Sequence, residues 1–427
     1  MPEFPRCQRI AACLVAALLV GSPLAHADEA PLGADFASLL SYARSHNPEL
    51  AAMQHEAAAS IQRIQPAGAL PDPVLRVELE NINNYGSDAP PSLLPSKVGD
   101  TKYTLMQQLP AWGKRDLRRE VAAAEARQAE ARASGTWVEQ SARLRTAFAQ
   151  YYRAARSEGI TRELLDLVAR IEQIAQARYA GGLAPQQDAI RAQLEQTAIR
   201  SELIGVANER RQLQARINVL LGRAPATPLA EPAALPALPA TADLSAETLL
   251  ARASATNPIV RAEGARLESA RASRELTLRN RYPDFNVGVV PTQVGSRITS
   301  WGVMVEVNIP LQQSVRRSQE SEAAAMLDAA RARTEAAANQ VAADLQEQLS
   351  ALQAARSNEA LISARQLPQA DLVVQSATAS YQIGKVDFAT LLEAQRQARK
   401  ARIDLLKAQV DAQVRVAEIE RILGEPL

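Results

Sequence analysis

The sequence holds 427 residues, 47% hydrophobic but only 4% aromatic, with 48 Lys and Arg against 47 Asp and Glu. Balanced charge argues against nucleic acid, which requires a basic face, and so few large rings cannot fill a wide core. A chain rich in Ala, Gln, Arg and Glu suits long helices that meet along narrow seams of small side chains.

Arg6 and Arg9 precede an apolar stretch from Ile10 to Val20, and Ala25-His26-Ala27 stands before Asp28. That order is a secretory signal, so residues 1–27 are expected to be removed. The stretch is too short to be a membrane helix. Ile10-Ala11-Ala12-Cys13 resembles a lipoprotein box, yet it precedes most of the apolar stretch it should end; a single acyl chain on Cys13 is the alternative anchor. Cleavage removes both Cys residues, leaving no disulfide and no thiolate ligand. No later segment has the uninterrupted apolar length of a spanning helix, so any crossing of a membrane must be made by strands.

The mature chain then runs twice through the same landmarks. Asn47-Pro48 returns as Asn257-Pro258, Pro71-Asp72 as Pro283-Asp284, and Leu109-Pro110 as Ile309-Pro310. Arg178-Tyr179-Ala-Gly-Gly182 returns as Ser380-Tyr381-Gln-Ile-Gly384, and Leu221-Gly222 as Leu423-Gly424. This order predicts an internal duplication, residues 28–223 and 244–427, joined by a Pro- and Ala-rich linker at 224–243. In each copy the Asn is expected to cap a helix whose first residue is Pro, where the missing N–H costs nothing.

Each copy reads as helix, two strands, long helix, tight turn, helix. The predicted strands span about residues 73–82 and 101–110, then about 285–291 and 299–309. Leu75, Val77 and Leu79 oppose Arg76, Glu78 and Glu80; Tyr103, Leu105 and Leu109 oppose Lys102, Thr104 and Gln108; Trp301, Val303, Val305, Val307 and Ile309 oppose Gly302, Met304, Glu306 and Asn308. Strands of about ten residues with an apolar outside and a polar inside match an outer-membrane barrel; a half-buried soluble sheet alternates in the same way. The runs Gly113 to Tyr179 and Leu311 to Tyr381 each predict a helix of roughly 100 Å, far beyond a globular core. The return helices, about Pro185 to Leu221 and Phe388 to Leu423, cover roughly half that length. Pro48 to Gly68 and Pro258 to Arg281, stacked end to end on them, would supply most of the rest. The fold class expected is therefore mainly α with a membrane β-barrel. Four strands cannot close a barrel that needs about eight, so copies must combine; three give about twelve strands around a conduit.

The ordered landmarks resemble the TolC family of outer-membrane efflux channels over nearly the whole mature chain. Leu70-Pro-Asp-Pro73 and Gln108-Leu-Pro-Ala-Trp-Gly-Lys-Arg115 are most similar to its heavy-metal branch, the CusC- and CzcC-like proteins. The resemblance implies a homotrimer in outer-membrane lipid, with a twelve-stranded barrel and an α-helical barrel crossing the periplasm. It also implies a periplasmic adaptor (membrane fusion protein) and a proton-driven inner-membrane pump of the resistance-nodulation-division type. The implied function is a passive exit duct for heavy-metal cations such as copper and silver or cobalt, zinc and cadmium. The alternatives are a drug-efflux or type I secretion outlet and, in another class, a periplasmic coiled-coil adaptor. The adaptor should carry one hairpin and a lipoyl-like β-domain, whereas this chain has two hairpins.

A duct needs no catalytic constellation and no cofactor, and the sequence offers neither. His46 and His55 lie near Met53, but Asn47-Pro48 interrupts any shared face, and a closed metal site needs roughly four converging ligands. Met106 and Met304 fall on the polar strand faces, as gap-fillers or as brief contacts for a soft cation. The turns Gly181, Gly182 and Gly384 mark the far ends of the long helices, where they are expected to reverse the chain and leave room for an adaptor hairpin. Asp188, Asp387 and Glu393 follow these turns, and threefold rings of such carboxylates attract cations and can be bridged by Arg178, Arg191 or Lys385 into a periplasmic gate. By resemblance Asp188 and Glu393 fall where family members place gate carboxylates. The bland reading stands beside it: Asp387 is a natural N-cap, Asp188 suits a first helical turn, and the counterpart of Asp188 in the second copy is Thr390.

Overall fold

The computed structural model describes residues 32–82 and 91–427. The leader and Cys13 lie outside the described residues. In the first half, α1 (Phe36–His46) starts where the Asp35 side chain accepts from the Ser38 N–H at 2.8 Å. Helix α2 (Pro48–Gln62) starts under Asn47, whose side-chain oxygen accepts from the Leu50 N–H at 3.0 Å. The expected helix to Gly68 is interrupted at Arg63, where the short α3 (Ile64–Gly68) begins. Pro66 accounts for the break, because its ring collides with the carbonyl four residues earlier, at Gln62. Strands β1 (Val74–Glu80) and β2 (Asp100–Leu109), the unbroken 67-residue α4 (Lys114–Ala180) and α5 (Gln186–Leu220) follow.

The second half repeats this order with α6 (Ala246–Thr256), α7 (Pro258–Arg279), β3 (Phe285–Val294) and β4 (Arg297–Val307). The long helix differs from the single run expected. It comprises α8 (Gln313–Leu361), a π-helical turn over Ile362–Gln366 and α9 (Leu367–Gln382). Pro368 supplies the reason: it lacks the N–H that an α-helix would need there, and the widened turn absorbs the misfit. Helix α10 (Phe388–Leu423) closes the chain.

The helices form a wall of parallel lanes. Helix α4 packs along α5 and α2 on one side and along α7 and α10 on the other, and α8 packs on the outer side of α7 and α10. Collinear stacking of the short helices is visible at its joints. The Asn47 side-chain amide donates to the Leu220 carbonyl at 2.8 Å, and Asn257 donates to Ile422 at 2.7 Å. The seams are narrow: α4 buries Ala124, Ala126, Ala131, Ala147 and Ala154, and a Cβ at Gly135 would stand 3.2 Å from Pro258. Wider side chains gather beside the joints. Leu144, Phe148 and Tyr151 of α4 meet Leu213, Ile217 and Leu221, while Leu345 and Leu352 of α8 meet Val416, Ile419 and Leu423. The stretch after Arg223 is a packed strap. Ala230 and Ala233 donate to Leu32 and Ala34 at 3.0 Å, and Gln413 donates to Pro236 at 2.5 Å.

The four strands form one antiparallel sheet in the order β1-β2-β3-β4. The two halves meet at β2 and β3, with Leu105 opposite Val289 and Leu109 opposite Phe285. Because side chains alternate along each strand, the register gathers Leu75, Leu105, Val289 and Val303 in one row of the apolar face. The opposite face carries Arg76, Glu78, Lys102, Thr104 and Glu306, with Lys102 paired to Glu80 at 2.5 Å. Val303 is 82% exposed and Trp301 73%. An apolar face left this open, on a sheet whose β1 and β4 edges are unpaired among the described residues, fits a bilayer and not water.

The sheet is clamped to the wall at its helical end. Lys114, buried at the start of α4, donates from Nζ to Asp284 at 2.8 Å and to the Tyr282 carbonyl at 2.9 Å. Asp284 also accepts from the Ala111 N–H at 2.8 Å. The chain entering β3 is thus tied to the chain leaving β2.

Candidate pore entrance

Each long helix ends in a turn of the same construction. Leu183 donates to the Arg178 carbonyl at 2.8 Å and Lys385 to the Ser380 carbonyl at 2.9 Å, reversing the chain over Gly182 and Gly384. Both glycines have positive φ, 68° and 75°, which a Cβ would strain. Gly181, at φ −84°, is under no such restriction. All three glycines are exposed.

Arg178 joins the two turns. Its Nη1 donates to the Tyr381 carbonyl at 2.6 Å, and its guanidinium lies 5.0 Å from the centre of the Tyr381 ring. Tyr381 stacks edge-on to Phe388 at 5.9 Å, within a cluster that includes Ile171, Ala192, Leu391 and Leu392. Both hairpin ends are therefore held by one aromatic plug and one arginine. Further along, Arg396 of α10 pairs with Glu195 of α5, and Arg399 with Glu202 at 2.5 Å.

Asp188 is buried in the first turn of α5. Burial pushes its carboxyl above the ordinary value; Arg191 and Arg178 oppose that, and Asp387 adds to it. These four charged groups share one electrostatic neighbourhood. Asp387 is exposed and caps α10, accepting from the Thr390 N–H at 2.9 Å and from the Thr390 hydroxyl at 2.6 Å, which holds its carboxyl below the usual range. Capping is thus a role Asp387 performs within one protomer. Glu393 is exposed and accepts from Gln397 at 3.1 Å, one turn along α10. Lys385 is exposed on the second turn. Among the described residues, none of Asp188, Asp387, Glu393, Arg178, Arg191 and Lys385 forms an ion pair inside the protomer.

His46 ends α1, stacked on Tyr42 at 4.1 Å with Nδ1 2.8 Å from the Ser45 hydroxyl. No group of three or more His, Cys, Asp or Glu able to hold a metal occurs among the described residues. In the sheet, Met106 and Met304 both lie opposite Gly288 on the polar face.

Family comparison assigns the chain as a whole. A family model described as outer membrane efflux protein matches residues 39–223 and 249–425. The chain belongs to the outer membrane efflux protein family. An outer membrane efflux protein of the TolC type is a channel and not an enzyme, and the helical wall is its periplasmic extension. The cobalt-zinc-cadmium resistance protein CzcC of Cupriavidus metallidurans is 24% identical to this efflux protein over 391 residues, 90% of this chain and 88% of CzcC. The fold matches the outer membrane protein VceC of Vibrio cholerae with a TM-score of 0.78 at 18% identity, covering 92% of this chain and 96% of VceC. It matches CusC with a TM-score of 0.74 at 16% identity, covering 91% and 92%.

For this efflux protein, sequence reading missed Tyr381 and Glu195 among the contacts that tie the two hairpins together. Tyr381 had a signal, since it is the repeat partner of Tyr179. Their environments differ, however: Tyr381 is 4% exposed and Tyr179 48%. Only the approach of α9 to α10 and of Arg178 to both separates them.

Proposed function

We propose that three copies of this chain form the outer-membrane exit duct of a tripartite pump that expels heavy-metal cations from the cell. The observation that carries the assembly is the open sheet. Four strands with edges at β1 and β4 unpaired among the described residues and a mainly apolar outer face need edges from other copies, and three copies supply about twelve strands. A ring of that size leaves a conduit, whereas about eight strands would be filled by side chains.

The cation reading is supported by the likeness to CzcC along nearly the full length of both chains. Polar and charged side chains on the inner strand face suit a hydrated ion. At the other end, Asp188, Asp387 and Glu393 would stand in threefold rings around the entrance, with Arg178, Arg191 and Lys385 placed to bridge them between copies. Gly181, Gly182 and Gly384 would face a periplasmic adaptor, and a proton-driven inner-membrane pump would supply the energy a passive duct lacks.

Deleting the gene and measuring growth on cobalt, zinc, cadmium, copper and silver salts tests the substrate class. Sensitivity to one group of these metals, restored by the wild-type chain, is expected. Sensitivity only to dyes and detergents would replace the metal reading with a drug-efflux one.

A further inference from the structure

A large cavity lies on the outer side of the sheet, where the sheet meets the helical wall. It measures about 900 Å³ and is lined by Leu109, Phe285 and Val287 of the sheet and by Trp112 and Tyr282 of the adjoining segments. That volume is in the upper part of the range of about 300–1,000 Å³ usual for small-molecule sites. Leu109 and Phe285 lie opposite each other on the apolar face, so the cavity continues the surface that meets the bilayer. It sits on the two central strands, β2 and β3, and joining copies through the edges of β1 and β4 leaves it uncovered.

Its rim is charged. Arg115, Asp116 and Arg279 border the cavity. The Arg115 Nε donates to the Gly68 carbonyl at 2.9 Å, and no hydrogen bond engages its other guanidinium nitrogens among the described residues. Arg279 is exposed, and neither it nor Asp116 forms an ion pair among the described residues. Lys114 and Asp284, just behind, already neutralise each other. Trp112 is 95% exposed, an unfavourable setting in water but the ordinary one for an indole at the level of lipid headgroups.

We propose that this cavity binds one zwitterionic diacyl phospholipid of the periplasmic leaflet, with an ethanolamine headgroup. The acyl chains lie on Leu109, Phe285 and Val287. Arg279 and Arg115 take the phosphodiester, because guanidinium donors match phosphate oxygens. The Asp116 carboxylate takes the ammonium, which an anionic glycerol headgroup could not offer. The bound lipid would fill the notch between barrel and wall and fix the depth at which the channel sits.

Native mass spectrometry of the full-length channel in non-ionic detergent, with added phosphatidylethanolamine or phosphatidylglycerol, tests this. Up to three phosphatidylethanolamine molecules per trimer should survive activation that strips other lipid. Arg279→Gln should weaken retention about tenfold, as expected for one charged hydrogen bond, and Trp112→Ala should weaken it without touching a charge. Arg297→Gln, at the opposite end of the sheet, should leave retention unchanged. Equal retention by Arg279→Gln and Arg297→Gln, or a bare wild-type trimer, would overturn the site, and preference for phosphatidylglycerol would overturn its headgroup. The inference rests on the trimer proposed above, and one spectrum separates the two: a monomer mass removes the assembly, whereas a lipid-free trimer removes only the lipid.

Discussion

The side chain of Asn47 reaches the backbone carbonyl of Leu220 at 2.8 Å while its oxygen caps α2 at the Leu50 N–H. One residue thus satisfies a donor at the start of one helix and an acceptor at the end of another, splicing two short helices into one lane beside α4. Asn257 does the same with Ile422 and with the N–H groups of Ile259 and Val260. The joint is tight: a Cβ on Gly222 would come 2.7 Å from the His46 carbonyl, and one on Gly424 would come 2.7 Å from that of Thr256.

Asn47→Ala removes a cap worth about 1 kcal/mol and leaves the Leu220 carbonyl short of a partner, for a total loss of about 2–3 kcal/mol. Asn257→Ala should lose a similar amount. Thermal unfolding of the detergent-solubilised channel, followed by far-ultraviolet circular dichroism, checks both. A midpoint unchanged by either substitution would show that the lanes hold without their splices.

Lys114 and Asp284 should make the junction sensitive to acid. Burial by itself raises the Asp284 carboxyl, but the hydrogen bonds from Lys114 and the Ala111 N–H outweigh it and set the group below its ordinary 3.8. A carboxyl with a depressed folded pKa adds stability that is present above 3.8 and is lost as pH falls through the folded value. Melting temperature should therefore drop on acidification below 3.8, and Asp284→Asn should flatten that part of the curve. Lys114→Met, which strands the carboxylate, should cost about 3 kcal/mol at neutral pH.

Asp188 shifts the other way. Its carboxyl sits above 3.8 because burial outweighs Arg191 and Arg178, so the folded state holds the proton more tightly than the unfolded chain. Ionisation of Asp188 therefore weakens the fold as pH rises through the folded value, and neutralisation precedes that of Asp387 as pH falls. Cation selectivity of the channel in planar bilayers should decline in two stages on acidification, and Asp188→Asn should abolish the stage at higher pH. A single stage unaffected by the substitution would remove Asp188 from the conducting path.

Arg178→Ala should loosen the entrance, since it deletes both the bond to the Tyr381 carbonyl and the guanidinium over its ring. Single-channel conductance is expected to rise, with global stability falling by about 1–3 kcal/mol. Unchanged conductance would assign the residue to packing alone.

Gly181→Trp separates adaptor contact from folding, because φ at this position accommodates a side chain. Metal resistance should be lost with trimer yield unchanged. Gly384→Trp should also abolish resistance, with added strain from its φ of 75°. Full resistance in Gly181→Trp would mean that no partner packs against the first turn.

The sequence alone determined the features that depend on near neighbours. Alternation along β1 to β4 set which side chains share a face. Asn47-Pro48, Asn257-Pro258 and Asp387 marked helix starts, and the glycine turns marked helix ends, because caps and turns are satisfied within about four residues. Repetition of those signals also conveyed the double order of elements. Tertiary structure decided what relies on groups 150 or more residues apart: the pairing of β2 with β3, the Lys114–Asp284 clamp, the reach of Arg178 to Tyr381 and the burial of Asp188. No residue type announces such a partner, since the same Arg or Asp is stable in water until packing removes the water and leaves one group to replace it.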